Sequence, residues 1–244
     1  IRVVRDAPAV GRHLQDHLCI DYLYRARMPS LNEVLRPWHG RLRVGLRYLL
    51  KRDGPLAMSV NQAGGFVRWG APGADRPHIQ LYFNPASYTT QPAEGRRMMN
   101  TDPFPGFSLS AHACRPTSRG RIRITRPDPR VAPAITPNYL ATAYDQTQAL
   151  LCARLLRALA AAEPLRGLIA EELLPGGQAA DDAALMADFR ARADTIFHPV
   201  GTCAMGAFDA QGVPRSAATV LDTDCRVYRV AGLRVADASA MPTI

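Results

Sequence analysis

Phe107-Ser108-Leu109-Ser110-Ala111-His112-Ala113-Cys114 alternates apolar and polar residues step by step. A period of two sends Phe107, Leu109, Ala111 and Ala113 to one side of an extended chain and the serines and His112 to the other. His78-Ile79-Gln80-Leu81-Tyr82-Phe83 repeats the split, with Ile79, Leu81 and Phe83 on one face. Downstream, Arg115-Pro116-Thr117-Ser118-Arg119-Gly120 reads as a turn, and Arg121-Ile122-Arg123-Ile124-Thr125 alternates again. Strand, short glycine-containing turn and strand predict a hairpin. The middle of the chain is therefore expected to hold an antiparallel sheet with one face on a core. Its polar face is expected to meet water.

Working outward, Ala9 to Tyr24 runs from a glycine-containing turn into an apolar stretch. Leu42 to Leu50 suits a short helix that stops before Asp53-Gly54-Pro55. Gly64-Gly65 precedes a predicted strand, Phe66-Val67-Arg68-Trp69. After Tyr139 the period changes. Asp145 to Ala162 is expected to be a helix, capped by Thr142 or Asp145 and closed by Pro164, because Leu151, Leu155 and Leu159 recur every four residues. A second helix should start near Asp181 or Asp182 and carry Leu185, Met186 and Phe189. The last third reads as loops, turns and two short strands, the final one a buried run over Leu233 to Asp237. Sheet, then helices, then short strands is an α+β order and not an alternating βαβ array.

Bulk properties narrow the function. The 244 residues are 47% hydrophobic, enough for a real core. No apolar run approaches the roughly 18 to 20 residues of a membrane helix, and the N-terminal Ile-Arg-Val-Val-Arg-Asp lacks the apolar centre of a signal peptide. The net charge of +9 could suggest nucleic acid. Yet the arginines are scattered, and the nearest cluster, Arg121, Arg123 and Arg126, has no aromatic partner. With Lys51 the sole lysine, and Ala and Pro abundant, the charge reads as the codon bias of a GC-rich, bacterial-like genome. Five cysteines without a CxxC pair speak against a zinc site or a disulfide scaffold, and no metal site is expected. Neither GxSxG, HExxH nor GxGxxG occurs. Free thiols point to a reducing, cytoplasmic place, with membrane association of an intact protein left open.

Two segments could carry chemistry. Phe197-His198-Pro199-Val200-Gly201-Thr202-Cys203-Ala204-Met205-Gly206 places a histidine before a proline that keeps its backbone extended. A histidine's ordinary pKa of about 6.5 lets the imidazole act as a neutral base at pH 7. The tail Leu233-Arg234-Val235-Ala236-Asp237-Ala238-Ser239 puts a carboxylate before small residues, where it could meet hydroxyl groups or simply cap a helix.

Six segments, in order, resemble the glucose–methanol–choline (GMC) oxidoreductases. Val10-Gly11-Arg12-His13-Leu14-Gln15-Asp16-His17 is similar to that family's VGxNLQDH, with His13 where Asn is usual. Ala63 to Arg68 resembles its AGGF segment, Arg115 to Gly120 its RPxSRG turn, and Ile135 to Leu140 its IxPNYL segment. His198 to Gly206 resembles HPxGTCxMG, and Arg226 to Pro242 the family's ending, with Arg229 where Gly is usual. The resemblance implies a flavoprotein that oxidises a primary alcohol to an aldehyde by hydride transfer to FAD. It implies that His198 is the catalytic base or its hydrogen-bonding partner, and that Asp237 and the backbone of Ala238 touch FAD. It implies residues 1–20 as the tail of an FAD-binding region and 21–195 as a substrate domain of antiparallel sheet and helices. Residues 196–244 then return to the FAD-binding domain. On this reading the chain lacks its N-terminal FAD-binding half and a second active-site residue beyond Ile244, so alone it is expected neither to hold FAD nor to turn over. Gln62, neutral and near the expected pocket strand, argues against the cation choline. The partners expected are a small alcohol and the missing half. The rival readings are a choline dehydrogenase specifically, an inactive fragment or gene remnant, and a basic binding module.

Overall fold

The computed structural model describes residues 6–70, 75–88 and 101–244. Its elements are β1 (Arg12–Leu14), β2 (Leu18–Ala26), α1 (Leu31–Leu35), α2 (Trp38–Lys51), β3 (Ala63–Val67), β4 (Ile79–Asn84), β5 (Gly106–Ala113), β6 (Gly120–Arg123) and β7 (Ala134–Thr136). There follow α3 (Ala143–Ala161), α4 (Leu165–Leu168), β8 (Ile169–Leu174), α5 (Asp182–Arg192), the two-residue β9 (Asp194–Thr195) and a closing 3-10 turn at Ala238–Ala240. This is a mixed helix and antiparallel-sheet fold. The chain forms two compact units that interleave along the sequence. One comprises Ile1–Leu18, Cys114–Thr147 and Thr195–Ile244, and the other Cys19–Ala113 and Gln148–Asp194.

The second of these units is built on an antiparallel sheet ordered β3-β4-β5-β2-β8. Its register pairs Tyr24 with Phe107 and Phe83 with Leu109. Tyr24 and Phe83 both lie against Phe107, with ring centroids 5.3 and 5.5 Å away, so an aromatic row crosses three strands. The face carrying Leu81, Phe83 and Leu109 shares a hollow with Leu156 and Leu159 of α3, of which only Leu159 belongs to the Leu151, Leu155 and Leu159 stripe expected from the sequence. Thr142 is the residue that caps α3, its Oγ1 accepting from the Asp145 N–H. Helix α5 starts after Asp181, whose side chain accepts from Ala184 N–H, and buries Leu185, Met186 and Phe189 as expected.

Two expectations for this sheet fail. The polar face of β5 does not meet water: Ser108, Ser110 and His112 are 7%, 6% and 0% exposed. Strand β5 is central, and His112 satisfies both nitrogens internally. Its Nδ1 lies 3.0 Å from the Ala113 carbonyl and its Nε2 3.2 Å from the Tyr82 hydroxyl. Nor does Phe107–Cys114 form a hairpin with Arg121–Thr125. Both edges of β5 are taken, by β2 and β4, and β6 pairs with β1 and β7 instead. The intervening turn is held by a helix and not by its flanking strands. The Asp145 carboxylate accepts from Thr117 N–H at 2.8 Å, Ser118 N–H at 2.7 Å and the Thr117 hydroxyl at 3.0 Å. Burial acts to raise the Asp145 pKa, but these bonds outweigh it and hold the carboxyl below the usual carboxylate range.

In the other unit β1, β6 and β7 form a three-stranded antiparallel sheet. Gly11 turns at a φ of 79°, and a Cβ there would stand 2.3 Å from the Ile122 carbonyl oxygen. Only glycine allows the backbones to approach this closely. A small core gathers Ala9, Val220, Leu221 and Ala240, with Cys203, Met205, Val227 and Val235 packed on it. The expected final strand is absent. Leu233 is half exposed, and Arg234 makes only a single bridge to Arg226. Its partner stretch cannot offer a straight edge. Asp222 winds it into turns by accepting from Asp224 N–H and Arg226 N–H, and Arg229 and Gly232 take positive φ.

Candidate active site

The site grows from Gln15, Asp16 and His17, three polar side chains buried in a row at 3%, 9% and 8% exposure. Gln15 forms a two-way backbone bridge with Val200 and donates from Nε2 to the Pro242 carbonyl at 2.9 Å. It therefore ties the His198 segment and the end of the chain to the N-terminal motif. Asp16 accepts through Oδ1 from the His198 backbone N–H at 3.0 Å. Through Oδ2 it accepts from the hydroxyls of Tyr139 and Thr195. The Phe197 N–H donates in turn to Thr195 Oγ1 at 2.9 Å. One carboxylate thus fixes both the loop that presents His198 and the Tyr139 that follows Pro137-Asn138.

His17 lies beside His198. Their Nδ1 atoms are 3.2 Å apart, and the rings meet edge-on at 75° with centroids 5.5 Å apart. His17 Nε2 is 3.0 Å from the Cys114 carbonyl oxygen. Burial is the largest influence on His17 and lowers its pKa, the bond to Cys114 acting the other way and the nearby His198 adding to the lowering. His198 itself is exposed on the surface of its unit. The residue before it, Phe197, is held at a φ of 63°, a left-handed conformation that a bulky aromatic rarely adopts. Such strain gathers at functional sites.

Asp237, the second expected site residue, is exposed and caps the closing 3-10 turn. Its Oδ1 accepts from Ser239 Oγ at 2.6 Å and Ser239 N–H at 2.8 Å. The Ser239 hydroxyl first, and then its N–H, hold the carboxyl below the usual range. Ala238 is also exposed. The neighbouring Ser239 and Ala240 carbonyls accept from Cys203 and Met205 N–H, both at 2.9 Å, which seats the tail along the His198 segment. Gln62 lies in the other unit, where its N–H donates to the Phe83 carbonyl. Among the described residues no group of three His, Cys, Asp or Glu could hold a metal ion. No helix among them is long and apolar enough to cross a membrane.

The structure thus gathers five of the six quoted segments in one unit, and the sequence reading singled out neither Asp16 nor His17. A signal existed. A Gln-Asp-His run sits between Leu14 and an apolar strand, where burial obliges each polar side chain to find a partner. Both departures from the family pattern fall at left-handed positions, His13 at a φ of 60° and Arg229 at 56°. Asn and Gly, the usual residues there, adopt that conformation at least cost. Arg229→Gly is therefore expected to raise stability by about 0.5–1 kcal/mol, after the entropy that glycine adds to the unfolded chain. A chemical denaturation midpoint measures it. A lower midpoint would mean that the Arg229 guanidinium, 5.0 Å over the Tyr228 ring, contributes more than the strain costs.

The sequence of the chain matches a known family. A model of the GMC oxidoreductase family covers residues 116–244, more than half of the chain, and the chain belongs to that family. It is 36% identical over 247 residues to an alcohol dehydrogenase (acceptor) of Pseudomonas putida, covering all of this chain and 42% of that protein. It is 35% identical over 246 residues to the mitochondrial choline dehydrogenase of Homo sapiens, again over all of this chain and 39% of the relative. The chain spans about two-fifths of the length of these relatives. Among solved structures, pyridoxine 4-oxidase from Mesorbium loti superposes with a TM-score of 0.74 at 27% identity, covering 100% of this chain and 41% of that one. A formate oxidase from Aspergillus oryzae RIB40, studied for FAD modification, shares the fold with a TM-score of 0.82 at 22% identity, over 100% and 45% of the two chains.

Proposed function

We propose that this chain supplies the general base for the FAD-dependent oxidation of a primary alcohol to an aldehyde. The observation that carries the reading is His198, solvent-facing yet held at its backbone by buried Asp16 and at its ring by His17. A base must be reachable by substrate and must not wander. His198 takes the hydroxyl proton of the alcohol at its outer nitrogen, Nε2, as the O–H bond breaks. The electron pair left on oxygen closes the carbonyl as the C–H bond breaks. FAD, when bound, supplies the acceptor for the departing hydride. Asp237 fits a place beside FAD, because an exposed carboxylate that favours its ionised form is an acceptor for sugar-alcohol hydroxyls, and the exposed Ala238 backbone adjoins it. On the same reading residues 21–195 form the substrate domain, and residues 1–20 and 196–244 belong to the FAD-binding side.

The names of the relatives offer two substrates, an alcohol and choline. Gln62 brings no charge to a cation, and a neutral primary alcohol is the reading we adopt. Anaerobic mixing of the whole flavoprotein with a series of straight-chain primary alcohols should bleach the oxidised-flavin absorbance. Bleaching by choline alone would transfer the assignment to choline. No bleaching by either would overturn the reading.

A further inference from the structure

The two nitrogens of each histidine ring constrain each other. A backbone carbonyl can only accept, so His17 Nε2, 3.0 Å from the Cys114 oxygen, must carry a hydrogen. A neutral His17 has then no hydrogen on Nδ1, and that atom can only accept. The atom 3.2 Å away is Nδ1 of His198. For the contact to be a hydrogen bond, His198 must donate from Nδ1, and a neutral His198 then keeps a bare lone pair on Nε2. From this geometry we propose that His17 is a positioning residue that locks His198 in the Nδ1–H tautomer, reserving Nε2 as the proton acceptor.

Several features support this chain of donors. Burial lowers the pKa of His17 and so favours its neutral form, while nearby Asp16 pulls the other way. The alternative, a doubly protonated His17, would bury a cation against an imidazole. An exposed histidine with no such neighbour samples both tautomers, and a molecule whose Nε2 carries hydrogen cannot serve as base there. When Nε2 gains a proton, Nδ1–H still donates to His17, so the relay needs no rearrangement during turnover. A ring oriented through its second nitrogen is the usual way in which a histidine's chemistry is set.

The inference deepens the proposed role of His198 and rests on it only for its consequence in catalysis. Its direct test does not use activity. The whole FAD-loaded protein, labelled with 15N in its histidine rings, is examined by long-range proton–nitrogen correlation above pH 7, with the His198 signals assigned from their loss in His198→Gln. The expected pattern is a hydrogen-bearing Nδ1 and a bare Nε2 on His198, and the reverse on His17. In His17→Phe the His198 signals should become a mixture of tautomers. In His17→Gln, whose amide oxygen can accept, the original pattern should be largely restored. A wild-type His198 with hydrogen on Nε2 would overturn the proposal, as would a pattern unchanged in His17→Phe. With the assignment from His198→Gln in hand, the wild-type spectrum decides the tautomer even if a His17 variant fails to fold. Should the tautomer be as proposed while His198→Ala keeps full turnover, the inference stands and the assignment of His198 as base falls.

Discussion

Replacing His198 with alanine in the whole flavoprotein should lower kcat/KM for its alcohol by about 10²–10⁴-fold, the range that a positioned general base supplies. That corresponds to about 2.7–5.4 kcal/mol of lost transition-state stabilisation. The fold should tolerate the change. His198 is exposed, and its backbone N–H, not its ring, holds the loop to Asp16. The visible spectrum and flavin content should therefore match the wild type, and added imidazole should restore part of the rate. The kinetics should fall mainly in kcat, because the proton is transferred in the transition state and not on binding. A loss smaller than tenfold, with flavin retained, would remove His198 from the role of base.

Asp16→Ala should be the most damaging substitution for stability, at about 2–4 kcal/mol. The carboxylate is buried and serves three donors, the His198 N–H and the hydroxyls of Tyr139 and Thr195. Hydrogen bonds to a charged group contribute about 1.5–3 kcal/mol each, but two of the three donors are hydroxyls that can turn to other acceptors, so the sum is not reached. Asp16→Asn keeps one acceptor oxygen and should lose about half as much. Denaturant midpoints of the two variants give the comparison. If Asp16→Ala cost under about 0.5 kcal/mol, the carboxylate would be an ornament of the loop and not its anchor. Because Asp16 fixes the backbone of His198, both variants should also lose turnover, and Asp16→Ala the more.

Much of the secondary structure was legible because it follows local periods. Alternation located β4 and β5, a leucine every fourth residue located α3, and Asp181 marked the start of α5. Where a period competed with a distant partner, the reading failed. Arg121 to Thr125 alternates well enough for a hairpin strand, yet Asp145 draws the preceding turn to the head of α3 and β6 pairs elsewhere. Leu233 to Asp237 has strand composition, but its neighbour stretch is turned by Asp222 and offers an edge only long enough for the single bridge from Arg226 to Arg234. Ser108, Ser110 and His112 have the composition of a wet face, and their burial is a property of the sheet's centre, not of the residues.

By itself, the sequence determined that this chain is an α+β member of its family, and it singled out the segments that hold His198 and Asp237. Those properties are written in residue types at short spacing. The tertiary structure alone decided which strands share edges, that Asp16 anchors the His198 loop, and that His17 stands against the His198 ring. His17 meets Cys114 across 97 residues of chain and His198 across 181. Contacts at such separations depend on how the whole chain closes, and no local pattern of hydrophobicity or turn residues encodes them.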